Sequence, residues 1–139
     1  LGSKVLTTEI VPEDGEVISE TIQRMIRQNC DMIIITAGLS VDPDDVTREG
    51  VIKAGATNVV YGSAVVPGSM AMVAEIGDVP VVGVPACGLY FKTTVFDLII
   101  PRVLAGLRIS RYDLAEMGHG GFCLNCKECR FPHCSFGKV

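Results

Sequence analysis

The sequence predicts a three-layer α/β domain, in which helices cover both faces of a mostly parallel sheet. Residues 32–36 (MIIIT) are apolar on both faces, which is typical of a central parallel strand. Just before them, the apolar residues between Val17 and Ile26 recur at helical spacing. Hydrophobic residues make up 48% of the 139 residues, so the chain is long and apolar enough to bury such a core.

Pro, Gly and acidic residues divide the first half of the chain into alternating elements. The predicted order is a strand at 5–11, a helix from 13 or 14 to 28, a strand at 32–36, a helix at 46–54 and a strand at 57–61. The first strand is β-branched and rich in Thr, and Pro12 ends it. The helix that follows is capped by Glu13 or Asp14.

The second half predicts a hairpin and two more helices. Residues 70–76 and 81–84 flank a Gly-Asp-Val-Pro segment and are predicted to pair as a hairpin. A long helix over 91–107 contains Pro101, which should kink it. Ser110 and Asp113 resemble a capping box for one last short helix. We therefore expect an α/β domain over residues 1–108, and a short helix with a cysteine-rich tail over 109–139.

Composition narrows the classes of partner. A net charge of −4 argues against nucleic acid, because phosphate binding needs a basic face. No apolar stretch long enough to span a bilayer is free of charge, Gly and Pro, so no membrane partner is expected. Six cysteines in an α/β chain predict a reducing, cytoplasmic location. The chain begins at Leu1 rather than Met, which predicts that it is part of a longer protein.

Three loops carry unusual residues at positions where α/β sheets bind ligands. They span residues 36–47, 66–69 and 85–88. The first loop offers backbone amides near Gly38, two hydroxyls and three carboxylates before a helix, a set that suits a phosphate with Mg²⁺. The alternative is that Asp42, Asp44 and Asp45 only cap the helix and complement its dipole.

The first loop, TAGLSVDPDDVT, resembles the T-G-G-x-S-x-G-x-x-D-V-T loop of the molybdenum-cofactor biosynthesis family, which includes molybdopterin adenylyltransferases and molybdotransferases. Val66-Pro67-Gly68 and Gly83-Val-Pro85, then a helix with Phe96-Asp97-Leu98 and Pro101, follow in the family's order over about residues 1–108. The resemblance implies an enzyme or carrier that binds molybdopterin, forms a homo-oligomer and serves a molybdoenzyme.

The resemblance also assigns site residues. It implies that Thr36, Gly38, Ser40 and Asp45 line the pterin-phosphate site, with Asp45 as the catalytic, Mg²⁺-associated carboxylate. Further walls would come from Pro67 and Gly68, and from Pro85, Ala86 and Cys87. The chain departs from the family pattern at Ala37, Asp42, Ser69 and the 86–88 segment. The strand and helix that open the family domain, with their Thr-Gly-x-Glu loop, precede the region that aligns with Val5, which again predicts a fragment.

Cys87 has two interpretations. Placed at the start of the long predicted helix, its thiol would have a lowered pKa and would face the ligand as a thiolate. The alternative is an inert, partly buried cysteine. Nearby, Tyr90, Phe91 and Phe96 could stack on a pterin ring or could pack the helix against the sheet.

The tail predicts a metal site. Cys123, Cys126, Cys129 and Cys134 lie within twelve residues, and the first three form two overlapping Cys-x-x-Cys steps. This spacing indicates zinc or an iron–sulfur cluster, and it approaches but does not match a ferredoxin run. The alternative is a flexible tail with free thiols. The chain therefore carries two functional hypotheses: a molybdopterin-binding domain, and a metal or iron–sulfur redox module on an α/β scaffold that has lost catalysis.

Overall fold

The structure is a computed structural model that describes residues 2–42 and 45–138. Its α-helices are α1 (Gly15–Arg27), α2 (Thr47–Lys53), α3 (Val95–Leu104) and α4 (Arg111–Met117), with 3₁₀ turns at Ala86–Leu89 and Gly118–Gly120. Its strands are β1 (Ile33–Thr36), β2 (Thr57–Tyr61), β3 (Met72–Ile76) and β4 (Val79–Val84). The predicted hairpin, the helix before β1 and the helix after Ser110 are confirmed.

The four strands form one mixed sheet in the order β1-β4-β3-β2. β1 is parallel to β4, whereas β3 is antiparallel to both β4 and β2. The short turn between β3 and β4 requires these two strands to be antiparallel, because a tight turn joins only antiparallel strands. The α/β class is confirmed, but the prediction of a mostly parallel sheet is wrong, since one of the three pairings in the described sheet is parallel. The prediction that β1 is a central strand is wrong, since it lies at an edge of the described sheet.

Helices cover both faces of the sheet, as predicted. Adjacent residues of the hairpin point to opposite faces, which follows from the two-residue period of a strand. Val73 and Val82 belong to a core cluster with α3 and α4. Ala74 and Val81 belong to a second cluster with α1 and α2. The sheet is therefore the middle of three layers.

Local side-chain bonds decide where the helices begin. The carboxylate of Asp14 accepts hydrogen bonds from the Glu16 and Val17 amides and so starts α1. Thr94 and Asp97 form a capping box that starts α3 at Val95. The long helix predicted from residue 91 is therefore shorter, because this box stops it from extending toward the preceding loop.

The predicted strand at residues 5–11 is wrong. These residues are outside the described sheet, and Val5 and Ile10 are 84% and 100% exposed. A cavity of about 1640 Å³, lined by this segment and by β1, lies between them. A strand needs hydrogen-bonding groups of a neighbour about 4.8 Å away, and the segment has no such neighbour among the described residues.

The tail packs against the main domain. Ile109, Leu114 of α4 and Phe136 are buried in the same core cluster as α3. Gly137 lies so close to Leu98 that a Cβ there would come within 2.9 Å of the Leu98 Cγ. No helix in the described part of the chain is long and apolar enough to cross a bilayer.

Replacing Ser110 with Ala should lower the free energy of unfolding by about 1 kcal/mol, because it removes the hydroxyl that starts α4. The Ser110 hydroxyl lowers the pKa of Asp113, with the Ser110 amide contributing next. A lowered carboxyl pKa stabilises the fold above the ordinary aspartate pKa, and this is lost as the pH falls through the folded value. The difference in the free energy of unfolding between the variant and the original protein should therefore become smaller in acid. Thermal unfolding at neutral and acid pH measures it, with exposed Ser3→Ala as control; a pH-independent deficit would contradict the coupling.

Candidate functional site

Three loops meet at one end of the strands, and this side of the sheet is the site edge. β1 and β4 end side by side, since Thr36 pairs with Val84 in the parallel register. Met72, the first residue of β3, lies opposite Gly83 of β4 and Tyr61, the last residue of β2. The loop after β1, the loop after β4 and the loop between β2 and β3 therefore lie together, where open α/β sheets bind ligands.

The loop after β1 is attached to the core by Leu39. This side chain is buried, and a Cβ added at Gly83 would overlap it. Gly38 has a φ of 62°, and a Cβ there would lie 3.1 Å from the Cβ of buried Thr47. Glycine is therefore required at position 38 for its backbone conformation and for space. Ala37, where the resemblance expects glycine, has a similar left-handed φ of 73°.

Asp45 closes this loop through its side chain. Its Oδ2 accepts a hydrogen bond of 2.6 Å from the amide of Ser40, and its own amide donates to the Asp42 carbonyl. The N-cap of α2 is Val46, whose side chain makes no capping bond. The carboxylate of Asp45 therefore holds the loop and does not serve as the cap. Asp44, the third predicted carboxylate, lies outside the described residues.

Tyr61 and Arg48 belong to the same cluster, and the sequence analysis missed both. The Tyr61 hydroxyl donates a 2.9 Å hydrogen bond to the Ser40 carbonyl. The Arg48 guanidinium lies 5.3 Å from the centre of the Tyr61 ring. Desolvation, and then the negative charge of Asp45, raise the pKa of Tyr61. The available signal was the position of Tyr61 at the end of a predicted strand, since strand ends form the site edge.

The loop between β2 and β3 reaches the edge mainly through its backbone. Pro67 and Gly68 are buried, so neither residue forms an open wall of the site. The Pro67 carbonyl accepts a 3.0 Å hydrogen bond from the Val95 amide. A Cβ added at Gly68 would come within 2.7 Å of the Val95 Cβ. These two residues therefore hold the loop against the start of α3, while Ser69 is exposed next to them.

The loop after β4 contains a 3₁₀ turn. Pro85 is buried, Ala86 is exposed and Cys87 is half-buried in that turn. Cys87 is eight residues before the first residue of α3, so the prediction that it lies at that helix's N-terminus is wrong. Tyr90 is 81% exposed beside the loop, whereas Phe96 packs on the core. Of the aromatic residues considered for stacking, Phe96 is the one used for packing.

The four cysteines of the tail line one small cavity of about 70 Å³. Each is a free thiol, and Cys126 and Cys129 are exposed. The Thr93 hydroxyl lies 3.3 Å from the Cys129 sulfur, and this hydrogen bond is the main reason that the pKa of Cys129 is lowered. Within residues 2–42 and 45–138, no group of three or more His, Cys, Asp or Glu side chains is arranged around a single ion position. The thiols therefore share a cavity without converging on one point.

A family model described as "Probable molybdopterin binding domain" matches residues 1–105. The matched range includes all three loops and ends at Ala105, the C-cap of α3. No curated protein matches the chain. The tail with its four cysteines lies outside the matched residues.

Proposed function

The chain belongs to the molybdopterin-binding domain family, and from this premise we propose that it binds molybdopterin or a related pterin phosphate at the edge where the three loops meet. The family places the chain in molybdenum-cofactor biosynthesis or binding. The observation that carries the proposed location is the register that brings Thr36, Val84 and Tyr61 to the same end of the sheet. In open α/β sheets ligands bind at such an end.

The phosphate of the ligand would lie between the loop after β1 and Arg48. The resemblance places a cation at position 69, where this chain has Ser69. Arg48, directed toward the ring of Tyr61, supplies a guanidinium at the same edge. Guanidinium groups bind phosphate through paired hydrogen bonds. We therefore propose Arg48 as the cation of the site.

The Asp45 carboxylate is a suitable Mg²⁺ ligand in addition to accepting the hydrogen bond from Ser40. Mg²⁺ is bound in proteins by one or two carboxylates together with phosphate oxygens of the substrate. Asp45 is half-buried beside Ser40 and already raises the pKa of Tyr61 through its negative charge. Its role would be to hold the ion against the phosphate. The transfer reactions implied by the resemblance, and the homo-oligomer and molybdoenzyme partner, stay predictions.

Replacing Asp45 with Asn should weaken Mg²⁺-dependent binding of molybdopterin about tenfold or more, since a charged hydrogen bond or ion contact is worth at least about 1.5 kcal/mol. The fold should survive, because the amide oxygen of Asn can still accept from Ser40. A fluorescence titration with molybdopterin, with and without Mg²⁺, measures the change. Asp78→Asn is the control, since Asp78 is exposed in the turn at the opposite end of the hairpin. Equal affinities of the two variants would show that Asp45 only closes the loop.

A second function is favoured by the cavity in the tail. Four thiols that line one cavity would hold zinc or an iron–sulfur cluster after their sulfurs move together, and either would neutralise their charge. Metal binding would release the thiol protons and would be strongest at neutral or alkaline pH. We propose this metal site as an addition to pterin binding, because the two sites use different residues.

A further inference from the structure

The side chain of Tyr61 connects two parts of the candidate pterin site. Tyr61 is the last residue of β2, which is one edge strand of the described sheet, whereas the loop that carries Ser40 follows β1, the other edge strand. We infer that Tyr61 is a positioning residue of this site, whose hydroxyl fastens that loop and whose ring holds the Arg48 guanidinium in place for the phosphate. The inference rests on the proposed function, and it names the residue on which the phosphate-binding groups depend.

The loop after β1 crosses the ends of two strands before it reaches Tyr61. In the order β1-β4-β3-β2, the strands β4 and β3 separate β1 from β2. Leu39 lies over these two strands, because a Cβ added at Gly83 of β4 would meet both Leu39 and Met72 of β3. Ser40 is the next residue, and its carbonyl accepts the 2.9 Å hydrogen bond from the Tyr61 hydroxyl. Tyr61 is therefore the point on the far strand to which the loop is attached.

The backbone of Ser40 is held from two directions. Its amide donates the 2.6 Å hydrogen bond to the Asp45 carboxylate, which belongs to the same loop. Its carbonyl accepts from Tyr61, which belongs to another strand. The bond to Asp45 closes the loop on itself, whereas the bond to Tyr61 fixes the closed loop relative to the sheet. The position of the proposed Mg²⁺ ligand therefore depends on the Tyr61 hydroxyl through Ser40.

The ring of Tyr61 restricts Arg48. The guanidinium carbon lies over the ring, 5.3 Å from its centre. A guanidinium that stacks on an aromatic face keeps its N–H donors in its own plane, where two of them can bind a phosphate. The ion pairs among residues 2–42 and 45–138 use other side chains, so none of them neutralises Arg48. Arg48 is exposed, and a long exposed side chain samples many rotamers unless a neighbour holds it. Tyr61 is that neighbour.

A double-mutant cycle on the whole chain tests the role of the ring, with the dissociation constant of molybdopterin in the presence of Mg²⁺ as the readout. Arg48→Gln should weaken binding about tenfold or more, because a hydrogen bond to a charged group is lost. Tyr61→Leu removes ring and hydroxyl, whereas Tyr61→Phe removes the hydroxyl alone. Tyr61→Leu should therefore bind about two- to fivefold more weakly than Tyr61→Phe, which corresponds to one exposed cation–π contact. In proteins that also carry Arg48→Gln this difference should disappear.

The hydroxyl acts through the loop and not through Arg48, so its effect should be independent of that residue. Tyr61→Phe should weaken binding about twofold or more, both in the original protein and together with Arg48→Gln. It should keep the fold, because the ring stays in place. Tyr112→Leu is the matched control, since Tyr112 lies in α4 and is 71% exposed, and it should bind as tightly as the original protein.

The outcomes separate this inference from the proposed function. A difference between Tyr61→Leu and Tyr61→Phe that persists with Arg48→Gln would overturn the positioning of Arg48, since a merely structural ring would act in both backgrounds. Unchanged affinity of both Tyr61 variants, in a protein that binds molybdopterin, would overturn the inference and leave the proposed function standing. An original protein that does not bind molybdopterin would overturn both.

Discussion

Replacing Leu39 with Ala should lower the free energy of unfolding by about 3 kcal/mol, because it empties a buried position where the loop after β1 meets the sheet. Leu39 is 3% exposed and lies over Gly83, in the same core cluster as Met72. Urea denaturation with linear extrapolation measures the change. Affinity for molybdopterin should fall as well, because the loop that carries Ser40 would lose its attachment to the core.

The matched control for this substitution is in the same loop. Val41 is also apolar but is 84% exposed. Val41→Ala should therefore change stability by no more than about 0.5 kcal/mol, as for most surface substitutions. If the two variants lost the same stability, Leu39 would not be the residue that attaches the loop, and the geometry described for this part of the site would be wrong.

Replacing Gly68 with Ala should lower the free energy of unfolding by about 3 kcal/mol, because it combines backbone strain with a collision against the backbone of α3. Gly68 has a φ of +124°, a conformation that L-residues rarely adopt. The added Cβ would lie 2.9 Å from the backbone nitrogen of Val95, which is fully buried. The loop would have to move, and the hydrogen bond from the Val95 amide to Pro67 would weaken. The midpoint of urea unfolding should fall accordingly.

Gly77→Ala separates the two causes. Gly77 also has a positive φ, +59°, but an added Cβ would meet nothing within 4 Å. Gly77→Ala should lower the free energy of unfolding by only about 1 kcal/mol, from the left-handed conformation alone. A Gly68→Ala variant as mild as Gly77→Ala would mean that the contact between this loop and α3 is loose. The Cys123 amide, which donates a hydrogen bond to the Val66 carbonyl of this loop, would then have a less firmly held partner.

Features that depend on neighbouring residues could be predicted from the sequence. Asp14 starts α1 and Ser110 starts α4, because each cap bonds to amides within three residues of itself. The hairpin could be predicted because its turn and its strands are contiguous. The loop motifs were sufficient to indicate the family, which the match over residues 1–105 now shows. None of these features requires knowledge of distant parts of the chain.

Other features could not be predicted because they depend on distant contacts. Residues 5–11 have the composition of a strand, but strand formation requires a partner, and they lie across a cavity from β1. Arg48 and Tyr61 are thirteen positions apart and meet only when the loop after β1 folds back toward the end of β2. Cys87 seemed to start a helix, but the Thr94–Asp97 box places that start eight residues later.

The sequence by itself determined the α/β class, the family, the cap of α4, the start of α1 to within one residue and the presence of four closely spaced thiols in the tail. Only the tertiary structure decided that the sheet is mixed, that Arg48 and Tyr61 join the three loops and that the four thiols line one cavity beside Val66. The physical reason is the range of the interactions. Caps, turns and amphipathic periods act over a few residues, whereas strand order and the meeting of loops depend on packing between segments far apart in the chain.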